Sequence, residues 1–559
     1  MGVIAEIKFK FGKGPAAPPE TTKLAPITVF VGPNNSGKTK VLGELFQYCN
    51  NATTSTTDVI LDKLEFAPPS PKAIEGTLRH YTVTPSQAHR MEPGQFLIGR
   101  ANHGSYLAEK ARFTAIMEHP QTDPGTFSCW FLQFNTLMLD GPRRISHVNS
   151  QDAGDIQSTA TSSLQVLFRD DGKREQVRRI VHEAFGLYFV IDPTKLGTFR
   201  IRLSCRAPLD DREERGIHGA AVKFHADALP IESASDGIKA FIGIITEIIA
   251  GDPSVVLIDE PEAFLHPSLA FQLGKEVSRI SSASGKSLFV ATHSANFVMG
   301  CIQSGSPVNI IRLTYRASVA TARVLHNDNI LRLMRNPLLR STGVLNGLFY
   351  EFVVVTESDT DRAFYQEINE RLLRFTPSAG IPNCLFLNAQ NKQTVQTLIR
   401  PLRDLGIPAA AIVDVDVLKD GGATWSGFLE GGCVPQIDRQ AMANIRAAVK
   451  SKLEATGKNM KRDGGIDLLS GEDKEAAKNL LQRLAEYGLF VLPKGELESW
   501  LPQLGVNGHG PNWLVNIFEK MGEDPNNSEY VKPGSGDVWD FIATLKRWLT
   551  DPNRKGIPY

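Results

Sequence analysis

Apolar positions along this chain follow two rhythms that alternate. Short apolar runs occur at 27–31 (ITVFV), 255–258, 287–291, 352–356 (FVVVT), 384–387, 409–413 and 489–492, as expected for strands buried on both faces of a parallel sheet. Other stretches space their apolar residues as a helix does: Val41, Leu42, Leu45, Phe46 and Cys49 within 38–49, and Phe364, Ile368 and Leu372 within 361–373. Further helices are expected at 163–185, 236–249, 268–280 and 394–405. Further strands are expected at 6–11 and 126–139, and a hairpin pair at 188–191 and 198–205. Strands alternating with helices predict an α/β fold on parallel sheets.

Breaks in the pattern suggest the domains. Residues 12–26 are rich in Pro and Gly, 50–58 in Asn, Thr and Ser, and 150–163 in small polar residues; no repeat of 20–50 residues is visible. A new βαβ series begins near residue 347. The expected division is 1–345, with an inserted region at about 60–230; 346–504, with a helical insertion at about 418–487; and a C-terminal extension, 505–559. The insertion should hold two helices, one ending at Gly457 and one opening at Ser470. Asp473 stands three residues after Ser470, a capping-box pattern.

Composition narrows the function classes. The 559 residues carry 61 Lys+Arg and 61 Asp+Glu, so no general basic coat exists and any polynucleotide contact must be local. With 42% hydrophobic and 22% charged residues the chain is globular rather than disordered. The six cysteines form no CxxC motif and read as reduced thiols. Residues 1–11 lack the apolar core of a signal peptide, Glu6 stands where myristoylation wants Ser or Thr, and Glu247 and Asp252 interrupt the longest apolar run. A cytoplasmic protein without membrane contact is expected.

Gly32-Pro33-Asn34-Asn35-Ser36-Gly37-Lys38-Thr39 fits GxxxxGK[ST], after a predicted strand and at the opening of a predicted helix. Backbone N–H groups of such a loop close around phosphate, Lys38 neutralises the β/γ-phosphates, Thr39 offers a hydroxyl to Mg²⁺, and the helix N-terminus adds its dipole. Asp259 and Glu260 emerge from the run at 255–258, at the strand end where open α/β sheets bind ligands. Asp259 is expected to hold Mg²⁺, and Glu260 to orient or deprotonate the attacking water. His293, in Ala291-Thr-His-Ser294, is a candidate sensor of the γ-phosphate.

GPNNSGKT, DEPEAFLHP and ATHS in this order resemble the ABC-type ATPases of the structural-maintenance and OLD (overcoming-lysogenization defect) class. The resemblance covers residues 1–345, loosely over 50–230. It implies ATP and Mg²⁺ as cofactors and a homo-dimer or higher oligomer through the ATPase heads, in which a signature Ser completes the partner's site. Ser233-Ala-Ser235-Asp-Gly237 is the matching segment, although it departs from the usual Ser-Gly-Gly form, so Ser235 and Gly237 are candidate nucleotide contacts. It also offers Gln133 as a Q-loop residue and His266 as a dimer-interface residue.

A second constellation is acidic. Glu357 follows the run at 352–356, and Asp361 lies four residues on. Asp414 and Asp416 stand at i and i+2 at the end of 409–413, where strand alternation would put both on one face. If those strands are neighbours, four carboxylates share a crevice, and a bound divalent cation relieves their repulsion. Oxygen ligands suit Mg²⁺ or Mn²⁺, and two such ions about 4 Å apart stabilise attacking and leaving oxygens in phosphodiester cleavage. Either Glu496 or Glu498 is a further candidate ligand, and Lys494 a candidate for stabilising the pentavalent phosphate. Lys450, Lys452, Lys458, Lys461 and Arg462 form a basic cluster that could meet phosphate backbone or face solvent.

E-x3-D followed by DxD resembles the TOPRIM fold of topoisomerases, primases and OLD-family nucleases, with Ser358 where the family has Gly. The combined resemblance is to OLD-family ATPase–TOPRIM fusions, with Gabija-like, PARIS-like and retron-linked relatives. It implies an ATP-gated, Mg²⁺- or Mn²⁺-dependent endonuclease of antiviral defence acting on DNA or a structured RNA such as tRNA, with a second defence-system protein as a candidate partner and the helices of 60–230 as candidate dimerisation elements. The alternatives are a non-cleaving ATP-driven sensor or scaffold that recruits a separate nuclease, and a transporter ATPase subunit.

Overall fold

Each of the seven apolar runs folds as a strand. The computed structural model describes residues 1–559 apart from 1, 52–56, 84–90, 101–103, 159, 252, 317, 326–329, 332–334, 338, 340–342 and 559. Most of the Asn/Thr/Ser tract at 50–58 therefore lies outside the described residues. The chain separates into two compact units, Met1–Asn327 and Asp328–Tyr559.

Unit 1 is built on β1 (Ile27–Val31), β2 (Thr136–Leu139), β3 (Val255–Asp259), β4 (Ser287–Ala291), β5 (Val308–Arg316) and β6 (Val319–Leu325), in the order β6-β5-β1-β4-β3-β2. The first five run parallel, and β6 returns antiparallel on β5. The helix that follows β1, α1 (Lys38–Asn51), buries Val41, Leu42, Leu45 and Cys49 in a core shared with Phe30, Leu257 and Phe289. Three smaller sheets are antiparallel, including the hairpin of Tyr188–Asp192 and Thr198–Ser204.

Residues 126–139 are not one strand. Pro124 opens a helix, Pro124–Trp130, capped by the Asp123 carboxylate, which accepts the Thr126 N–H at 3.0 Å. Phe127, Trp130 and Phe131 have i, i+3, i+4 spacing, which is helical. Gln133 lies in a 3-10 turn, Leu132–Phe134, and only Thr136–Leu139 joins the sheet. The stretch 163–185 is two helices, Ser163–Arg169 and Asp171–Phe185, because Asp170 ends the first and caps the second.

Unit 2 holds β7 (Phe352–Thr356), β8 (Cys384–Asn388), β9 (Ala409–Val413) and β10 (Leu489–Val491), all parallel in the order β8-β7-β9-β10. β7 and β9, whose ends carry the acids, are hydrogen-bonded neighbours. The insertion contains three helices: Gly422–Gly431, Gln436–Ala455 and Gly471–Ala485. Ser470 precedes the last but its hydroxyl makes no cap bond, and Asp473 pairs with Lys452 at 3.1 Å instead. The C-terminal segment adds two helices, Gly510–Met521 and Asp537–Thr550. Their Trp513, Ile517, Met521, Trp539, Ile542 and Leu545 share a core with Phe364, Ile368 and Leu372. Among the described residues no helix is long and apolar enough to cross a membrane.

Arg371 fastens this C-terminal segment to the helix after β7. Its guanidinium donates to the carbonyls of Met521 and Val531, each at 2.9 Å, and of Gly522 at 2.7 Å, and it stacks over Tyr530. Arg371→Met would remove the donor to the Gly522 and Val531 carbonyls, while the Met521 carbonyl keeps the Val531 N–H, and a fall of about 2–3 kcal/mol in unit-2 stability is expected in denaturant titrations. An unchanged midpoint would contradict this account of the attachment.

Candidate functional site

The phosphate loop in unit 1 is shaped by backbone that only particular residues tolerate. Gly32 has φ +150, and a Cβ there would stand 2.1 Å from the Leu313 carbonyl; Gly37 has φ +94 and Asn35 φ 60. Asn34 and Asn35 are exposed, and Ser36 is buried. Lys38 Nζ folds back and donates to the carbonyls of Gly32 at 2.8 Å and Pro33 at 2.7 Å, and to Ser36 Oγ at 3.4 Å. Burial lowers its pKa to about 8, while Glu260 and Asp259 pull the other way.

The strand β4 separates β1 from β3, yet their ends meet. Thr39 Oγ1 donates to Asp259 Oδ1 at 3.2 Å. Burial, followed by the neighbouring Glu260, raises the Asp259 pKa. Glu260 sits at φ 47, a sparsely populated conformation for a non-glycine residue. Its Oε1 lies 3.6 Å from His293 Nε2. The His293 N–H donates to Glu262 Oε1 at 2.7 Å, and burial, with Lys38 nearby, lowers the imidazole pKa. Thus Lys38, Thr39, Asp259, Glu260 and His293 form one group.

Ser235 and Gly237 have other neighbours within the chain. Ser235 Oγ caps the helix Asp236–Ala250, accepting the Ile238 N–H at 3.5 Å, and a Cβ on Gly237 would lie 2.5 Å from the Phe264 carbonyl. Phe264 follows the β3 acids at φ 70 with its ring 65% exposed. His266 stands at the N-cap position of the next helix, and its ring bonds Ser268 Oγ at 3.1 Å rather than the helix backbone.

Sequence reasoning missed Arg144. It is 2% exposed, on the short helix Gly141–Ser146 after β2, and its Nη1 donates to the carbonyls of Asp259 at 2.8 Å and Glu260 at 2.7 Å. One guanidinium therefore holds the turn that aims both acids. The Arg144 carbonyl in turn lies 2.0 Å from where a Cβ on Gly243 would stand, so the helix opened by Ser235 packs backbone to backbone on this short helix.

In unit 2 the acids gather above β7 and β9. Glu357, Asp414 and Asp416 each place a carboxylate oxygen within 4.8 Å of the others. Glu357 Oε1 accepts the Asp414 N–H at 2.8 Å, tying the two strand ends. Asp414 and Asp416 are not on a strand face, because β9 ends at Val413 and Asp416 lies in a 3-10 turn, Val415–Lys419; the turn, rather than β alternation, brings them together. Asp361 is outside this trio. Its Oδ2 closes a capping box, accepting the Ser358 N–H and hydroxyl, each at 2.9 Å.

Crowding shows in the charges. Burial, and then Asp414, raise the Glu357 pKa; burial raises that of Asp414; Asp361 is pushed up to about 6 by burial and by Asp414. Two lysines offset part of the charge: Lys461 Nζ is 2.7 Å from Asp414 Oδ2, and Lys392 Nζ is 3.1 Å from Asp416 Oδ2 and 3.1 Å from Asp420 Oδ2. Asp416 Oδ1 remains buried without a hydrogen bond, and an oxygen-rich set with an orphaned buried oxygen fits a divalent cation. Lys461 belongs to the basic cluster seen in the sequence, whereas nothing around Lys392 marks it. Lys494 is exposed and makes no ion pair among the described residues. Glu496 and Glu498 stand with a residue not foreseen, His509, as a second group whose ligand atoms lie within 4.8 Å of one another.

A family model described as "AAA domain, putative AbiEii toxin, Type IV TA system" matches residues 189–299, which contain the β3 acids and His293. No curated protein sequence matches the chain. Similar solved structures include the SMC head bound to the C-winged helix domain of ScpA, at 13% identity and TM-score 0.36, covering 59% of this chain and 99% of that one. The SMC head domain from Thermotoga maritima is 11% identical with TM-score 0.28, covering 58% and 99%. An SMC head with an extended coiled coil bound to the C-terminal domain of ScpA, from Pyrococcus furiosus, is 13% identical with TM-score 0.31, covering 60% and 99%. The phosphate loop, the β3 acids and the family match together support an ATPase domain of the ABC type in unit 1.

Arg144→Met would free the Asp259 and Glu260 carbonyls; ATP turnover should fall about tenfold to a hundredfold, the scale of ~1.4–2.8 kcal/mol, with fluorescent-nucleotide affinity little changed. Equal losses in both would contradict a positioning role. Glu357 supplies a pH test. Its folded pKa lies above its unfolded value, so its ionisation opposes folding, and the penalty appears as pH rises above the unfolded pKa of about 4.5. Glu357→Gln should therefore stabilise chelator-treated protein, more at about pH 8 than at about pH 5, in denaturant titrations. A difference independent of pH, or of opposite sign, would refute the crowding.

Proposed function

We propose that the protein is an ATP-hydrolysing, metal-dependent nuclease resembling the OLD family, in which nucleotide binding by an ATPase dimer gates phosphodiester cleavage by the unit-2 acids. The observation that carries the reading is the convergence of Glu357, Asp414 and Asp416 within 4.8 Å on adjacent parallel strand ends, with a buried oxygen of Asp416 left unpaired.

In unit 1, Lys38 leaves its loop carbonyls for the β/γ-phosphates, whose charge restores the proton affinity that burial removes. Thr39 and Asp259, already 3.2 Å apart, are placed to hold Mg²⁺. The strained Glu260 orients or deprotonates the attacking water, and His293 beside it reads the γ-phosphate. Ser235, exposed at the start of its helix, completes the site of a second copy, with the buried Gly237 setting the close packing behind it. In unit 2, Glu357, Asp414 and Asp416 hold Mg²⁺ or Mn²⁺, which supplies charge stabilisation and an activated water when bound. Lys461, paired with Asp414 beside the acids, is placed to meet the phosphate, the role the sequence offered to Lys494. Asp361 orders the turn after Glu357 through its capping box. The substrate is DNA or a structured RNA, and the family resemblance supports a role in antiviral defence alongside a partner protein.

One observation favours a non-cleaving sensor or scaffold instead: Lys461 and Lys392 already neutralise Asp414 and Asp416, as they would in a unit that keeps its acids without using metal. Plasmid DNA and tRNA incubated with the protein and Mg²⁺ or Mn²⁺, with and without ATP, separate the readings. Cleavage by wild type, reduced at least a hundredfold in Glu357→Ala and Asp414→Ala, is expected. Cleavage that appears only with an added partner and survives both substitutions would give the site to the scaffold reading.

A further inference from the structure

The loop after β10 holds a second group whose chemistry differs from the first. Glu496 is 9% exposed, and its Oε2 is buried with no hydrogen bond. Glu498 Oε1 accepts the Gly510 N–H at 2.8 Å and lies 2.6 Å from His509 Nδ1. One oxygen of each glutamate and one ring nitrogen of His509 fall within 4.8 Å of one another. Among the described residues no lysine or arginine forms an ion pair with Glu496 or Glu498, unlike Asp414 and Asp416. A buried carboxylate oxygen with no donor, on a glutamate that also places an oxygen within 4.8 Å of two further ligand atoms, is a strong demand for a cation.

We propose that Glu496, Glu498 and His509 form a cation site of their own, selective for a divalent transition metal of the Mn²⁺ class over Mg²⁺. Oxygen-only sets accept Mg²⁺ readily, whereas an imidazole nitrogen favours softer first-row ions and gains little from Mg²⁺. The loop is held in place for this. Gly495 has φ +123, and a Cβ there would stand 2.1 Å from the Lys461 carbonyl, so the backbone before Glu496 is pressed against the segment whose Lys461 reaches Asp414. His509 comes from the C-terminal segment, with its side chain 62% exposed, leaving the site open to entering ions. The inference deepens the metal-dependent reading of unit 2 and rests on it only for the use made of the ion.

The test is Mn²⁺ binding to chelator-stripped, nucleotide-free full-length protein, followed by electron spin resonance, with spin-echo modulation reporting coordinated nitrogen. Wild type should show ¹⁴N coupling. His509→Ala should lose it and weaken one bound Mn²⁺ at least tenfold, and Glu496→Gln should weaken the same ion. Glu357→Gln/Asp414→Asn and His293→Ala should keep the coupling. Mg²⁺ at a hundredfold excess should not displace the ion. Absence of ¹⁴N coupling in wild type, its persistence in His509→Ala, or displacement by Mg²⁺ would overturn the proposal. Coupling present in a protein that cuts neither DNA nor RNA would sustain this site while removing the nuclease reading.

Discussion

Three carboxylates forced together at the ends of neighbouring parallel strands are the constraint that organises unit 2. The sheet places Glu357 and Asp414 side by side, and the bond from the Asp414 N–H to Glu357 Oε1 keeps them there. Like charges at that separation, removed from water, are held only if protons, lysines or a metal ion balance them. All the surrounding features answer this need: the raised carboxyl pKa values, Lys461 and Lys392 on the outer oxygens, and the orphaned oxygen of Asp416. Lys461 comes from the insertion and Lys392 from the start of the helix after β8, so both belong to the site as much as the strands do.

Unit 1 solves the opposite problem. It must hold anionic phosphate, and Lys38 donates to its own loop carbonyls. Around it, Thr39, Asp259, Glu260 and His293 come from three strand ends, with Arg144 bracing the turn between the two acids. Arg144 also joins that turn to the helix opened by Ser235, through the close approach at Gly243. The start of that helix therefore has a short, packed route to the turn that carries Asp259 and Glu260.

What was readable in the chain was what is local. Seven apolar runs became seven strands because burial on both faces leaves no polar position, and the phosphate loop is spelled by residues that its backbone requires. Ser358–Asp361 and Ser470–Asp473 share the Ser-x-x-Asp spacing, and of these two only Ser358 and Asp361 close a capping box, since Asp473 pairs with Lys452 instead. The stretch 126–139 misled because aromatic residues suit strands and helices alike, and Pro124 with Asp123 decided for a helix. Arg144, Lys392 and His509 were unreadable because none belongs to a motif or stands at the end of a predicted strand; only the folded chain brings each to its acidic or carbonyl partners.

The central claim is that Glu357, Asp414 and Asp416 form a cation site. Anomalous diffraction from crystals equilibrated with Mn²⁺ tests it most directly. The account predicts a peak bounded by those three carboxylates, with Lys461 Nζ moved away from Asp414 Oδ2. No peak at that position, with Lys461 still paired to Asp414, would contradict it.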